Sequence, residues 1–337
     1  MNLFKRIGID AYMILLMLTA VLGVALPARG IGAEILGYLT YWAVAVLFFL
    51  YGGKLDPRAV RAGLLNWKLQ GLTFATTYAV FPVMGFALIA IFGRALGPEM
   101  SLGLLFLAVL PSTVQSSIAF TSISGGNVAA AICAASLSNI VGVVLTPLLV
   151  AQLIHLEGAG VTFEAVEKIG LQILLPFVAG QLLRRWIGAT LNRRKLMTTI
   201  VDRGSILLIV FAAFSAGTVA GVWSSIPPAS LLVTLGVVLL FLFLVIVTTR
   251  LAGRAAGLPP EDRATLLFCG ATKSLASGLP IAMALFPAAQ VSAIILPVMI
   301  YHMVQLLVCS GIAGNLSARV AATPAPSGRA GKEERRA

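Results

Sequence analysis

A lysine in the middle of an apolar run is the residue that most needs a chemical explanation. Lys273 lies deep in the apolar stretch 262–286. An ionised lysine at the centre of a membrane helix costs at least about 2.5–3.5 kcal/mol, and at that depth its stem does not easily snorkel to water. Three chemistries are open to it. It can stay charged and bind an anion or helix-end carbonyls, lose its charge by desolvation, or alternate between the two and carry a proton. A simple lysine–carboxylate pair is disfavoured. The carboxylates Asp10, Glu34, Asp56, Glu99, Glu157, Glu164, Glu167, Asp202, Glu261, Asp262, Glu333 and Glu334 all lie near the end of an apolar stretch, in a loop or in the tail.

The other polar residues in apolar surroundings form two clusters. Pro111-Ser-Thr-Val-Gln-Ser-Ser117 supplies Ser112, Thr113, Gln115, Ser116 and Ser117. Gly270-Ala-Thr-Lys-Ser274 supplies Thr272 and Ser274 around Lys273. Asn139 and His302 follow in later apolar stretches, with Ser136 and Gln305 as weaker neighbours. His302 reads either as a proton relay or as a hydrogen-bonded packing residue. Ser112 with Thr272-Lys273-Ser274 could be read as a Ser–Lys catalytic pair. No buried His/Asp/Glu cluster and no metal-ligand spacing accompanies it, so an enzyme is not expected, nor a resident metal or cofactor. Cys133, Cys269 and Cys309 are far apart and apolar in setting, against a disulfide framework.

The elements that position these residues must be membrane helices. Hydrophobic residues make up 59% of the chain and charged ones only 11%, against roughly 25% charged in soluble domains. The mean hydropathy is +1.00. Ten spans are predicted, near 10–27, 33–53, 69–93, 101–124, 127–154, 168–187, 204–223, 229–251, 262–286 and 289–313. The first has the basic start and small-residue end of a signal peptide, yet charge placement favours its retention. With the N-terminus inside, 20 of the 24 Lys and Arg fall in inside segments; Arg29, Arg94 and Lys168 fall outside, and Lys273 in neither. That split follows the positive-inside rule, with both termini cytoplasmic. It also accounts for the net charge of +12 without nucleic acid. The stretch 54–68 reads as an inner-surface segment or a plain loop, and residues 316–337 as a disordered tail after a membrane domain over 1–315.

The two polar clusters also look alike. Pro111 to Ser117 leads through a Gly-Gly break to Asn127-Val-Ala; Gly270 to Ser274 leads through Gly278-Leu-Pro280 to Gln290-Val-Ser. Asn139 follows Asn127 by the same interval as His302 follows Gln290, so the two fall at matching positions. An odd number of spans per half inverts the second half, the architecture of many secondary transporters with interrupted helices. The alternative is that Ser and Thr here simply join helices.

Leu107-Ala-Val-Leu-Pro111-Ser-Thr-Val-Gln-Ser-Ser117, Gly126-Asn127-Val-Ala, Thr146-Pro147-Leu-Leu and above all Phe268-Cys-Gly-Ala-Thr-Lys273-Ser-Leu-Ala-Ser-Gly-Leu-Pro280 resemble the bile acid:sodium symporter superfamily, specifically its bacterial SBF-like branch, over about 10–315. The resemblance implies an all-α integral membrane fold of ten transmembrane helices in two inverted five-helix repeats. Spans 1, 2, 6 and 7 would form a panel and spans 3, 4, 5, 8, 9 and 10 a core, with broken helices 4 and 9 crossing near the midplane. The family's sodium ligands carry over to Ser116 and Ser117, to the neighbourhood of Ala131 and Ala135, to Thr77, to Phe268 in place of a glutamate and to Thr272. Phe and Ala offer no side-chain oxygen, so residual sodium ligands reduce to Ser116, Ser117, Thr77 and Thr272. The expected function is secondary transport of a small organic anion across a bacterial inner membrane, with sodium coupling altered or absent, Na⁺ or H⁺ as candidate coupling ion, and Lys273 in the vestigial ion site. A non-transporting regulatory or scaffold protein on the same fold is the alternative. Nothing marks a continuous channel pore, and the oligomeric state is not legible.

Overall fold

The computed structural model describes residues 11–54, 66–153 and 170–322. Every described element is helical: α1 (Ala11–Ala25), α2 (Ile31–Lys54), α3 (Trp67–Ala75), α4 (Phe81–Leu96), α5 (Pro98–Val109), α6 (Gln115–Ile123), α7 (Val128–Leu153), α8 (Leu175–Arg193), α9 (Lys195–Val219), α10 (Val222–Ser225), α11 (Pro228–Ala255), α12 (Pro260–Ala271), α13 (Leu275–Leu285) and α14 (Ala288–Ala322). Two π-helical turns, Thr76–Val80 and Gly170–Leu174, lead into α4 and α8. Among the described residues, seven stretches are long and apolar enough to cross a membrane, and α1 and α5 add shorter apolar helices. The protein is therefore an all-α, multi-pass membrane protein. Each of the ten hydropathic stretches contains a described helix, and those near 101–124 and 262–286 are each interrupted part-way.

Proline and glycine explain many of the boundaries. α5, α11 and α12 begin on Pro98, Pro228 and Pro260, where the missing N–H costs nothing and φ is already helical. Glu261 and Asp262 occupy the first turn of α12, on the favourable side of its dipole. Pro111 offers no N–H to the Leu107 carbonyl, so α5 closes on a three-residue turn in which Leu110 N–H donates to the Leu107 carbonyl at 3.3 Å, and the chain turns extended at Leu110. Both π turns end just before a residue–proline pair, Phe81-Pro82 and Leu175-Pro176. Phe81 N–H reaches back five residues to the Thr76 carbonyl. In that register the next donor, for Thr77, would be Pro82, which has none.

The packing places the Lys273 segment innermost. The most apolar window of Pro260–Leu285 is 89% buried, so this stretch is enclosed by the other helices rather than by lipid. α12 packs against α3, α6, α7 and α11, and α13 against α14 and α9. α2 and α8 pack closely, with Gly52 facing the Phe177 carbonyl and Gly180 facing the Phe49 carbonyl. α1 packs on α9, and Ala28 N–H donates to Ser215 Oγ at 2.7 Å. At one end, Asp262 ties three elements together, accepting from Asn66 at 2.7 Å and from Asn127 at 2.9 Å.

One boundary differs from the sequence reading. The sequence puts the start of the tail at residue 316, but α14 continues to Ala322, because Leu316 to Ala322 holds no proline or glycine to stop it. Residues 323–337, most of the 54–68 segment and residues 154–169, with Glu157, Glu164 and Glu167, lie outside the described residues.

Candidate functional site

The two polar clusters are both helix interruptions, and they meet. Residues 110–114 separate α5 from α6, and residues 272–274 separate α12 from α13. Ser274 N–H donates to the Pro111 carbonyl at 2.9 Å. Ser112 Oγ donates to the Cys269 carbonyl at 2.6 Å and lies 3.2 Å from Thr272 Oγ1. Thr113 Oγ1 lies 3.5 Å from Thr272 Oγ1 and bonds closely to Ser116 Oγ.

A break frees backbone groups that cannot remain unpaired in an apolar interior. Here side chains satisfy them. Thr146 Oγ1 donates to the Val109 carbonyl at 2.8 Å, and Asn139 Nδ2 to the Ser112 carbonyl at 2.9 Å. Ser112 N–H donates to Ser138 Oγ at 3.0 Å. Ser117 Oγ donates back to the Thr113 carbonyl. On the other strand of the crossing, Thr272 Oγ1 donates to Phe268 at 2.8 Å and Tyr301 OH to Ala271 at 2.7 Å. Gln305 grips Lys273 from both sides. Its Oε1 accepts from Lys273 N–H at 2.8 Å, and its Nε2 donates to the Lys273 carbonyl at 2.9 Å.

The Lys273 side chain, 1% exposed, completes this set. Its ammonium donates to the carbonyls of Thr77 at 3.0 Å, Ala108 at 3.0 Å and Leu110 at 2.6 Å. It also sits 3.9 Å from the centroid of the Phe81 ring, a favourable place for a cation. Of the chemistries open to it, the structure realises the helix-end carbonyls. Lys273 does not bond to Ser112, so the Ser–Lys catalytic pair is not formed.

Most of the expected site residues come together: Lys273, Thr272, Ser274, Ser112, Thr113, Ser116, Ser117 and Asn139 surround the crossing, and Thr77 joins it through its carbonyl. Gln115 is exposed at the start of α6. His302 stands behind the site, its Nδ1 2.9 Å from Gln305 Nε2. The sequence match paired Asn139 with His302; in the structure the amide that serves the second break, as Asn139 serves the first, is Gln305. It lies three residues on, on the same helix face. At the positions to which the resemblance carries the sodium ligands, Phe268 packs against Phe120 with ring centroids 5.7 Å apart. Ala131 and Ala135 are fully buried.

Some supporting residues were not anticipated. Ser277 Oγ donates to Asn139 Oδ1 at 2.7 Å, and Tyr78 OH to the Ser138 carbonyl at 2.6 Å. Their signal was a polar group in the same apolar stretches, without a motif around it.

Comparison with known proteins gives the chain a family. The model of the SBF-like CPA transporter family matches residues 10–318. An uncharacterised protein of Pseudomonas aeruginosa is 45% identical over 311 residues, 92% of this chain and 93% of its own. YfeH of Escherichia coli, named as a symporter candidate, is 41% identical over 313 residues, 93% and 94% of the two chains. Sodium/bile acid cotransporter 7 of Rattus norvegicus is 29% identical over 280 residues, 81% of each. The chain belongs to the SBF-like CPA transporter family, a family of transporters rather than enzymes, within the bile acid:sodium symporter superfamily.

Proposed function

We propose that this protein is a secondary transporter that moves a small organic anion by alternating access across a bacterial inner membrane, with both termini in the cytoplasm. The observation that carries the reading is the pair of helix breaks bonded to each other at the centre of the packing. Irregular backbone is tolerated at membrane depth only where it is buried in protein or lines a cavity, and in many transporters it marks the binding site. In this reading the ten helices form two inverted repeats. α1, α2, α8 and α9 make a panel, and the remaining spans make a core that rocks against it. The names of the relatives, symporter and sodium/bile acid cotransporter, point the same way.

The anion preference rests on α6. Its N-cap, Val114, contributes no side-chain bond, and only Thr113 Oγ1 reaches the first turn, accepting from Ser117 N–H at 3.3 Å; Val114 and Gln115 are exposed. The N-terminus of α13, where Ser274 accepts from Ser277 N–H at 3.1 Å, is by contrast buried. An accessible helix N-terminus favours a negative group. Thr113, Gln115 and Ser116 would then contact the substrate. Lys273 would add positive potential from behind without touching it.

Altered or absent sodium coupling is supported by the loss of oxygen donors at Phe268, Ala131 and Ala135, and by the Lys273 ammonium beside Thr77. Na⁺ and H⁺ remain the coupling ions to be compared. The test begins with a thermal-shift screen of organic anions on the purified protein, with and without sodium at two pH values. Hits are then taken to flux in proteoliposomes. Transport that persists without sodium is expected. Strict sodium dependence with Lys273 intact, or full transport by Lys273→Ala, overturns the coupling assignment; absence of any flux overturns the transporter reading.

A further inference from the structure

The cage around the Lys273 ammonium is built by the backbone, and each of its oxygens is freed by a separate event. The Thr77 carbonyl is left without a helical donor by Pro82 and the π turn before it. The Ala108 carbonyl loses its usual donor because Ser112 N–H turns to Ser138 Oγ. The Leu110 carbonyl is set free where α5 gives way to extended chain. None of these events involves the lysine. The three oxygens converge at the C-terminal end of α5, where the helix dipole favours positive charge, and Phe81 closes one side with its ring face.

We propose that this cage is a primary-ammonium site in its own right, of which Lys273 is the tethered occupant. With the tether removed, it takes a free n-alkylammonium ion from solution. The stoichiometry supports the class of ligand. An ammonium group has three N–H donors, and the cage offers three carbonyls within 2.6–3.0 Å. A neutral amine would turn its lone pair toward one of those oxygens. The resident group is therefore a fixed cation and not a proton carrier. Lys273→Ala removes three methylenes and the ammonium, a void that n-propylammonium fills. Sodium fits less well, because three carbonyls are fewer oxygens than it takes up from water. Tetramethylammonium has no N–H to donate.

This inference rests on the reading of Lys273 as a resident cation in the transporter core, but its test reads stability and not flux. Thermal unfolding in detergent is compared for the wild type and Lys273→Ala in choline, sodium, tetramethylammonium and n-propylammonium chlorides, with 1-butanol as the uncharged control. The variant should be less stable in choline and recover about 5 °C or more, saturably, in n-propylammonium alone. The wild type should not respond. No cation-specific recovery, or an equal rise in both proteins, overturns the proposal. Variant recovered folded only when n-propylammonium is present during extraction counts as the expected result. If it is recovered under neither condition, Lys273→Gln decides. Its amide has two N–H donors for three carbonyls and blocks the void, so it should be less stable than the wild type and indifferent to n-propylammonium. Wild-type stability in Lys273→Gln, or a response to the amine, overturns the proposal. Sodium-independent flux with a failed amine test leaves transport standing and removes only the cage.

Discussion

Replacing Gln305 by leucine tests whether the crossing is held by polar accounting of its backbone. Gln305 is fully buried and makes two bonds to one residue, accepting from Lys273 N–H at 2.8 Å and donating to its carbonyl at 2.9 Å. Leucine keeps most of the volume and removes both partners. A buried backbone group left unsatisfied costs about 1–3 kcal/mol, so the pair should cost about 2–6 kcal/mol. At about 2 °C per kcal/mol for a chain of this size, the midpoint of thermal unfolding should fall by roughly 4–12 °C. The assay is thermal unfolding of the detergent-solubilised protein followed by helical circular dichroism. Gln115→Leu serves as control, since Gln115 is exposed, and it should move the midpoint little. His302→Ala should fall between them, because His302 Nδ1 supports the Gln305 amide at 2.9 Å but makes neither of that amide's bonds to Lys273. A midpoint within about 1 °C of wild type for Gln305→Leu would refute the reasoning. It would mean that water or a backbone shift satisfies Lys273 without the amide.

Further outcomes follow from the same geometry. Pro82→Ala supplies an N–H in the register of the Thr77 carbonyl, so one acceptor is drawn from the ammonium. A charge-assisted bond is exchanged for an ordinary amide bond at a net loss of about 1 kcal/mol, and slow hydrogen exchange at the new residue 82 amide would report it. Gly180→Val places a Cβ against the Phe49 carbonyl, where there is no room for it; α2 and α8 must separate, and the protein should lose cooperative unfolding or yield. Asp262→Ala leaves the amides of Asn66 and Asn127 without their acceptor, which should cost about 1–3 kcal/mol and speed hydrogen exchange at the starts of α3 and α7 more than elsewhere.

The sequence announced the helices and the breaks because both leave marks in composition. Apolar length marks a span, and Ser, Thr, Gly and Pro at its centre mark an interruption. Lys273 announced itself as a charge too deep to reach water. What it touches was not legible, because its partners are main-chain carbonyls, and every residue has one. Only Pro82 hinted that the Thr77 carbonyl would be free, and the hint needed the π register to be read. Asn139 and Gln305 illustrate the same limit. The repeat led to the right helix face at the second break but to His302, one turn early, since spacing fixes a face and not which side chain reaches the gap. Gln115 was grouped with its cluster by proximity in sequence, yet the helix turned it outward.

The ammonium fixed at the crossing also bears on voltage. A carrier that loads inorganic cations with its cargo can offset an anion's charge and let an interior-negative membrane pull the complex inward. A charge that belongs to the protein returns with it and cancels nothing over a full cycle. A monovalent anion carried alone then moves one negative charge per turnover, worth about 2.3 kcal/mol for each 100 mV. At equilibrium that favours the outside by about 50-fold at 100 mV. For the proposed anionic cargo, a Lys273 that stays charged in its cage would leave the resting potential driving that cargo out of the cell, and uptake would require a proton or another counter-ion bound elsewhere.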